Sequence, residues 1–109
     1  MSVVFVYATF PDADTAQKIC GELISQKLAA CANILGEGRS LYWWDGKLQN
    51  EPEVYAILKT AAETYPSLEN RIKELHSYDT PCIVSWTIEQ GSKEFLDWVR
   101  DHSSLTVLE

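Results

Sequence analysis

The chain has 109 residues, 46% of them hydrophobic and 23% charged, which fits one ordinary globular domain and excludes both a two-domain chain and a disordered one. Nine Lys and Arg against 16 Asp and Glu give a net charge of −7, a balance that a nucleic-acid duplex or an anionic membrane would repel. No apolar run approaches the roughly 20 residues of a membrane span, no basic residue precedes the short apolar segment at positions 3–8, and Cys20, Cys31 and Cys82 form no CxxC pair. These features predict a cytosolic protein with buried free thiols rather than a disulfide or zinc scaffold.

Positions 3–10 are β-branched and aromatic and almost continuously apolar, the pattern of a strand buried on both faces and so central in its sheet. Pro11 ends it. Asp12 can cap a helix over 13–27, with Asp14 in its first turn and Ala16, Ile19, Cys20, Leu23, Ile24 and Leu28 at helical spacing. A second strand is predicted over 29–35, bent where Gly36 and Gly38 flank Glu37, and resuming at 40–44. Asp45-Gly46 is a hairpin turn signal. The return strand runs over 47–62, interrupted near Pro52, with Val54, Ala56, Leu58 and Thr60 on one face and Tyr55, Ile57 and Lys59 on the other.

Thr64 is the predicted cap of a second helix with Pro66 in its first turn and Tyr65, Leu68, Ile72 and Leu75 as its buried stripe. A loop follows over 76–81, then a fourth strand over 82–88. Ser92 caps a third helix carrying Phe95, Leu96, Trp98 and Val99, and the tail at 105–108 suits one short closing strand. The order is βαββαβ, then a helix and a short strand. It predicts an α+β, ferredoxin-like split-βαβ sandwich as a single domain over 1–109, with helices on one sheet face and an apolar second face.

The two hairpin arms are about 12–16 residues long, against the usual 5–6. They overshoot a small sheet and would leave unpaired N–H and C=O groups beside Tyr42, Trp43 and Trp44. Closed, symmetric self-assembly is the usual way to complete such an edge; folding of the two indoles back onto their own sheet is the alternative.

Residues able to carry chemistry are few. His76 and His102 are the only histidines, and no GxSxG, HExxH or phosphate-cradling glycine loop occurs, so an enzyme is not predicted. His76 either caps the C-terminus of the second helix or serves as a metal ligand through a neutral imidazole; His102 has the capping role. Lys59, mid-strand, calls for a carboxylate, and Glu51 or Glu53 could supply it from the same arm or from a neighbouring subunit.

Lys27-Leu28-Ala29-Ala30-Cys31-Ala32-Asn33-Ile34, Ser40-Leu41-Tyr42-Trp43-Trp44-Asp45-Gly46-Lys47, Leu58-Lys59-Thr60, His76-Ser77-Tyr78-Asp79-Thr80-Pro81 and Gly91 with Phe95-Leu96-Asp97-Trp98 together resemble the signature of the CutA family of divalent-cation-tolerance proteins, over nearly the whole chain. The resemblance implies a ferredoxin-like fold, a homotrimer built by edge pairing of the long hairpin strands, and a cytoplasmic role linked to copper and other divalent cations; with a family thiolate and one imidazole replaced by Ala8 and Leu75, no tightly bound ion is expected. The copper site proposed for bacterial relatives uses a Cys near the end of the first strand and two adjacent His after the second helix. This sequence has Ala8 and Leu75-His76 there, so His76 is the one retained metal ligand. Tyr42, Lys59, Tyr78 and Trp98, with His76, are expected to line an inter-subunit cleft for a small ligand or ion.

Two other readings share the topology. A regulatory, signal-transducing trimer would offer a partner the bend at Gly36-Glu37-Gly38-Arg39. An acylphosphatase-like hydrolase would need a phosphate-binding loop after the first strand, which Thr9-Phe10-Pro11-Asp12 is not.

Overall fold

The computed structural model describes residues 2–104. Its elements run β1 (Val3–Phe10), α1 (Ala13–Ser25), β2 (Cys31–Trp44), β3 (Lys47–Ala61), α2 (Tyr65–Leu75), β4 (Ile83–Ile88) and α3 (Lys93–His102). The sheet order is β2-β3-β1-β4 with every neighbouring pair antiparallel, the ferredoxin-like arrangement. The short closing strand expected at 105–108 lies outside the described residues.

Alternation along β1 and β3 divides the molecule. Val4, Val6, Ala8 and Phe10 of β1 join Val54, Ala56 and Leu58 of β3 on one face, where Ile19, Cys20 and Leu23 of α1 and Leu68 and Ile72 of α2 close the core. Phe10, Leu23, Leu58, Leu68 and Ile72 are all fully buried. The second face is not left wholly open, as the sequence pattern suggested. α3 crosses to it and covers one end, where Val99 packs with Val3 and Ala30, flanked by Phe5, Ile88 and Leu96.

α1 begins as expected: Asp12 Oδ1 accepts from the Thr15 N–H at 2.7 Å. It ends two residues earlier than periodicity suggests, because Lys27 turns into the left-handed region at φ 59° and the Leu28 N–H bonds back to Leu23 O. Thr64 is not a side-chain cap for α2. Its Oγ1 donates instead to Ser103 O at 2.6 Å and ties the start of α2 to the end of α3. Ser103 reinforces that junction: its buried hydroxyl accepts from the Ala61 N–H and donates to Val99 O.

The hairpin arms are as long as expected and more continuous. β2 is one strand carrying an irregularity between Leu35 and Gly38, where Gly36 adopts φ +139°. β3 is not broken at Pro52. Its last partner in β1 is Phe10, opposite Val54; beyond that point β3 has only β2 beside it among the described residues, and a proline without an N–H is tolerated there. The overhang, from Arg39↔Pro52 to Trp44↔Lys47, closes through Asp45 (φ 52°) and Gly46 (φ 72°), the two-residue turn with positive φ at both positions. Arg39 clamps it by donating to Asn50 Oδ1 at 2.7 Å and Asn50 O at 3.0 Å.

Candidate functional site

The overhang and the loop after α2 enclose a cavity of about 420 Å³, within the range of small-molecule pockets. Ser40, Tyr42 and Trp44 reach it from β2, Glu53 from β3, and Tyr7 and Thr9 from β1, all projecting from the face opposite α1 and α2. The loop side supplies Tyr78, Asp79, Thr80 and Cys82. The cavity thus exists because β2 and β3 outrun β1: the sheet narrows to two strands at Phe10, and the loop fills the step.

A hydrogen-bonded chain fixes the loop. The Tyr78 N–H donates to His76 Nδ1 at 3.1 Å, so His76 Nε2 carries the proton and donates to Thr9 O at 2.7 Å. The imidazole lies between Phe10, with ring centroids 5.3 Å apart, and Tyr78, 4.6 Å apart. Tyr78 then passes over to the hairpin, its hydroxyl donating to Glu53 Oε2 at 2.9 Å. Burial and then this bond to the Glu53 carboxylate push the Tyr78 phenol well above its usual range. Burial, then the neighbouring Cys82 and Glu53, raises Tyr7, and burial followed by Glu53 raises Cys82. Tyr7 and Tyr78 therefore stay neutral, and Cys82 is a thiol rather than a thiolate nucleophile at neutral pH.

Of the residues expected to line a cleft, Tyr42 and Tyr78 meet in this cavity, and His76 stands directly behind Tyr78. Lys59 and Trp98 lie elsewhere. Lys59 is buried on the same sheet face but nearer α3, where Nζ donates to Asn33 Oδ1 and sits 5.6 Å from the Phe5 ring centroid. No carboxylate of its own arm reaches it: Glu53 is six residues away, about 20 Å along the strand. Trp98 stacks on Phe95 and on His102, whose Nδ1 is 2.9 Å from Trp98 O, the helix-end role expected for that histidine.

Sequence reasoning passed over Tyr7, Asp79 and the part Glu53 plays here. Strict alternation held a usable signal, since Tyr7 and Thr9 of β1 and Glu53 and Tyr55 of β3 share the face that Val6, Ala8 and Val54 do not.

The metal donors do not converge within one chain. Both His76 ring nitrogens are engaged by backbone groups, Ala8 and Leu75 offer no lone pair, and no group of three or more His, Cys, Asp or Glu side chains able to hold an ion occurs among the described residues. The cysteines are unpaired; Cys20 is buried, and burial pushes its thiol up to about 11.

The chain matches the family model described as CutA1 divalent ion tolerance protein over residues 4–102. It is 43% identical over 97 residues to the divalent-cation tolerance protein CutA of Pyrococcus horikoshii, covering 89% of this chain and 94% of that one. The rice protein named Protein CutA 1, chloroplastic, is 36% identical over 98 residues, covering 90% of this chain and 55% of its own length. Among solved structures, the one described as the periplasmic divalent cation tolerance protein CutA from Archaeoglobus fulgidus superimposes with a TM-score of 0.90 at 40% identity, covering 94% of this chain and 99% of that chain.

Proposed function

We propose, from the premise that this chain belongs to the CutA1 divalent ion tolerance protein family, that it serves divalent-cation tolerance as a homotrimeric regulatory binding module that takes a small ligand or ion in the cavity under its hairpin. One observation carries the reading. Beyond Val54 the hairpin has no third strand among the described residues, and Leu41, Trp43, Trp44 and Leu48 stand 64%, 73%, 55% and 62% exposed on it. A two-stranded apolar ribbon of this kind is marginal in water and prone to pair with another chain. Sister chains at the overhang would cover the indoles and wall the cavity. The reading assigns the protein no catalysis. It places the protein in the cytoplasm, where the unpaired Cys20, Cys31 and Cys82 suit a reducing medium.

Copper and other divalent ions belong to this reading as what the protein responds to rather than as a resident cofactor. The donors within one chain do not fit a tight copper site, since His76 would have to surrender either the Tyr78 N–H or the Thr9 carbonyl to bind one. Two measurements test the proposal. Light scattering at micromolar concentration should return three times the chain mass, and a stable monomer would overturn it. Calorimetry with Cu(II) should give only weak heats; tight binding that falls sharply in His76→Ala would make the protein a copper binder instead.

A further inference from the structure

We infer that the cavity under the hairpin is an aromatic cage for a small organic cation carrying an alkylated ammonium group. This deepens the functional reading above and rests on it. Tyr7, Tyr42, Trp44 and Tyr78 line the cavity with aromatic rings, whose faces attract cations. Among the described residues Glu53 and Asp79 are its charged lining groups, and no Lys or Arg lines it.

Each other class of ligand fits worse. An anion would meet two carboxylates. A transition metal would lose water to rings that offer it no lone pair, and although Glu53, Asp79 and the thiol Cys82 line the cavity, no three His, Cys, Asp or Glu side chains among the described residues are grouped so as to hold an ion. A neutral apolar ligand would desolvate Glu53 without compensating its charge. An alkylammonium ion matches both parts of the wall: its methyl groups lie against the rings and its charge faces the carboxylates. The Tyr78 hydroxyl occupies Glu53 Oε2 at 2.9 Å, which fixes the carboxylate and leaves Oε1 for the ligand. The chain's net charge of −7 favours approach of a cation from solution.

The test uses the assembled full-length protein and tetramethylammonium chloride, followed by the indole N–H signals in NMR, with that of Trp44 assigned through Trp44→Phe. Sodium chloride and the neutral isostere 2-methyl-2-propanol are titrated in parallel. Tetramethylammonium should shift the Trp44 signal saturably while the isostere leaves it unchanged. Glu53→Gln, which keeps the shape and removes the charge, should weaken binding by roughly threefold to tenfold, and Trp44→Leu, followed by titration calorimetry because it lacks the reporting indole, by a similar factor with Trp44→Phe, read the same way, partly restoring it. Thermal melts confirm that each variant is folded. Equal shifts from the isostere, or binding unchanged in Glu53→Gln, would overturn the cation assignment and leave the ligand-binding trimer standing. A monomer in light scattering would instead remove the functional reading itself. No saturable shift from either probe in a verified trimer would refute the cage.

Discussion

The base of the sandwich and the projecting hairpin are built from the same two strands, yet different physics holds each. In the base, β3 has neighbours on both sides, and its inward residues Val54, Ala56 and Leu58 meet α1 and α2 in a fully buried core. Past Phe10↔Val54 the ladder loses one side, and the large apolar side chains turn to solvent. The tip keeps its shape through local chemistry: the positive-φ pair Asp45-Gly46 and the Arg39–Asn50 clamp. Burial holds the base, whereas local turn and clamp contacts shape the tip, whose large apolar side chains are left exposed by the described residues.

The sharpest way to break this comparison is to remove one large side chain from each region. Phe10→Ala empties a fully buried site stacked on His76 and should cost about 3–5 kcal/mol in urea unfolding at any protein concentration. Trp43→Ala removes a ring 73% exposed in the single chain, where a surface truncation costs at most about 0.5 kcal/mol. At the centre of an interface the same truncation costs about 2–4 kcal/mol, so it should make the assembly dissociate on dilution while leaving far-UV circular dichroism intact. Dilution-independent mass in Trp43→Ala would show that the tip is not an assembly surface.

Gly36 marks the boundary between the regions. Its φ of +139° is closed to L side chains, and a Cβ built there would stand 3.2 Å from Val54 Cα. Gly36→Ala should therefore destabilise by about 1–3 kcal/mol, read as a lowered melting temperature. Because the bulge aims the tip, the variant should also weaken assembly, placing it between the two truncations in kind as well as in size. Gly46→Ala, with open space around its Cβ but φ at +72°, controls for backbone strain without the clash.

What the sequence made legible follows the same division. Periodicity and punctuation located all the elements of the base and the hairpin turn, because those features are local: Asp12 before a helical stripe, Asp45-Gly46 between alternating arms, Ser92 before Phe95. Features that depend on distant residues were not legible. Thr64 resembles a helix cap until Ser103, which follows α3, is seen to take its hydroxyl. Lys59 calls for a carboxylate, yet Asn33 on the adjacent strand is what the register brings to it. Tyr42 and Tyr78, singled out in the sequence for an inter-subunit cleft, both line the cavity within one chain, while its other walls, Tyr7 and Asp79, were not singled out. Its walls come from three strands and a loop, whose meeting depends on β1 ending at Phe10 while β2 and β3 continue. Strand length relative to a neighbour is a tertiary quantity that no single segment carries.

The smallest expected effect is the mirror image of Trp43→Ala: a change in the base that moves stability and leaves assembly alone. Asp12 caps α1 at the end of β1, and its bond from the Thr15 N–H holds its carboxyl below the ordinary value of 3.8. A carboxyl whose folded pKa is depressed contributes its stabilisation fully above the unfolded value and loses it as pH falls through the folded one. Asn also caps helices but does not titrate in this range, so Asp12→Asn separates charge from hydrogen bond. At pH 7 wild type should unfold at a slightly higher urea concentration than Asp12→Asn, with both giving the same mass in light scattering. The gap in midpoints should persist to about pH 5 and close towards pH 3, since all other carboxyls titrate alike in the two proteins. A gap that stays constant with pH would mean that the Asp12 charge contributes nothing to the cap. A change in mass at pH 7 would mean that base and tip are not separable.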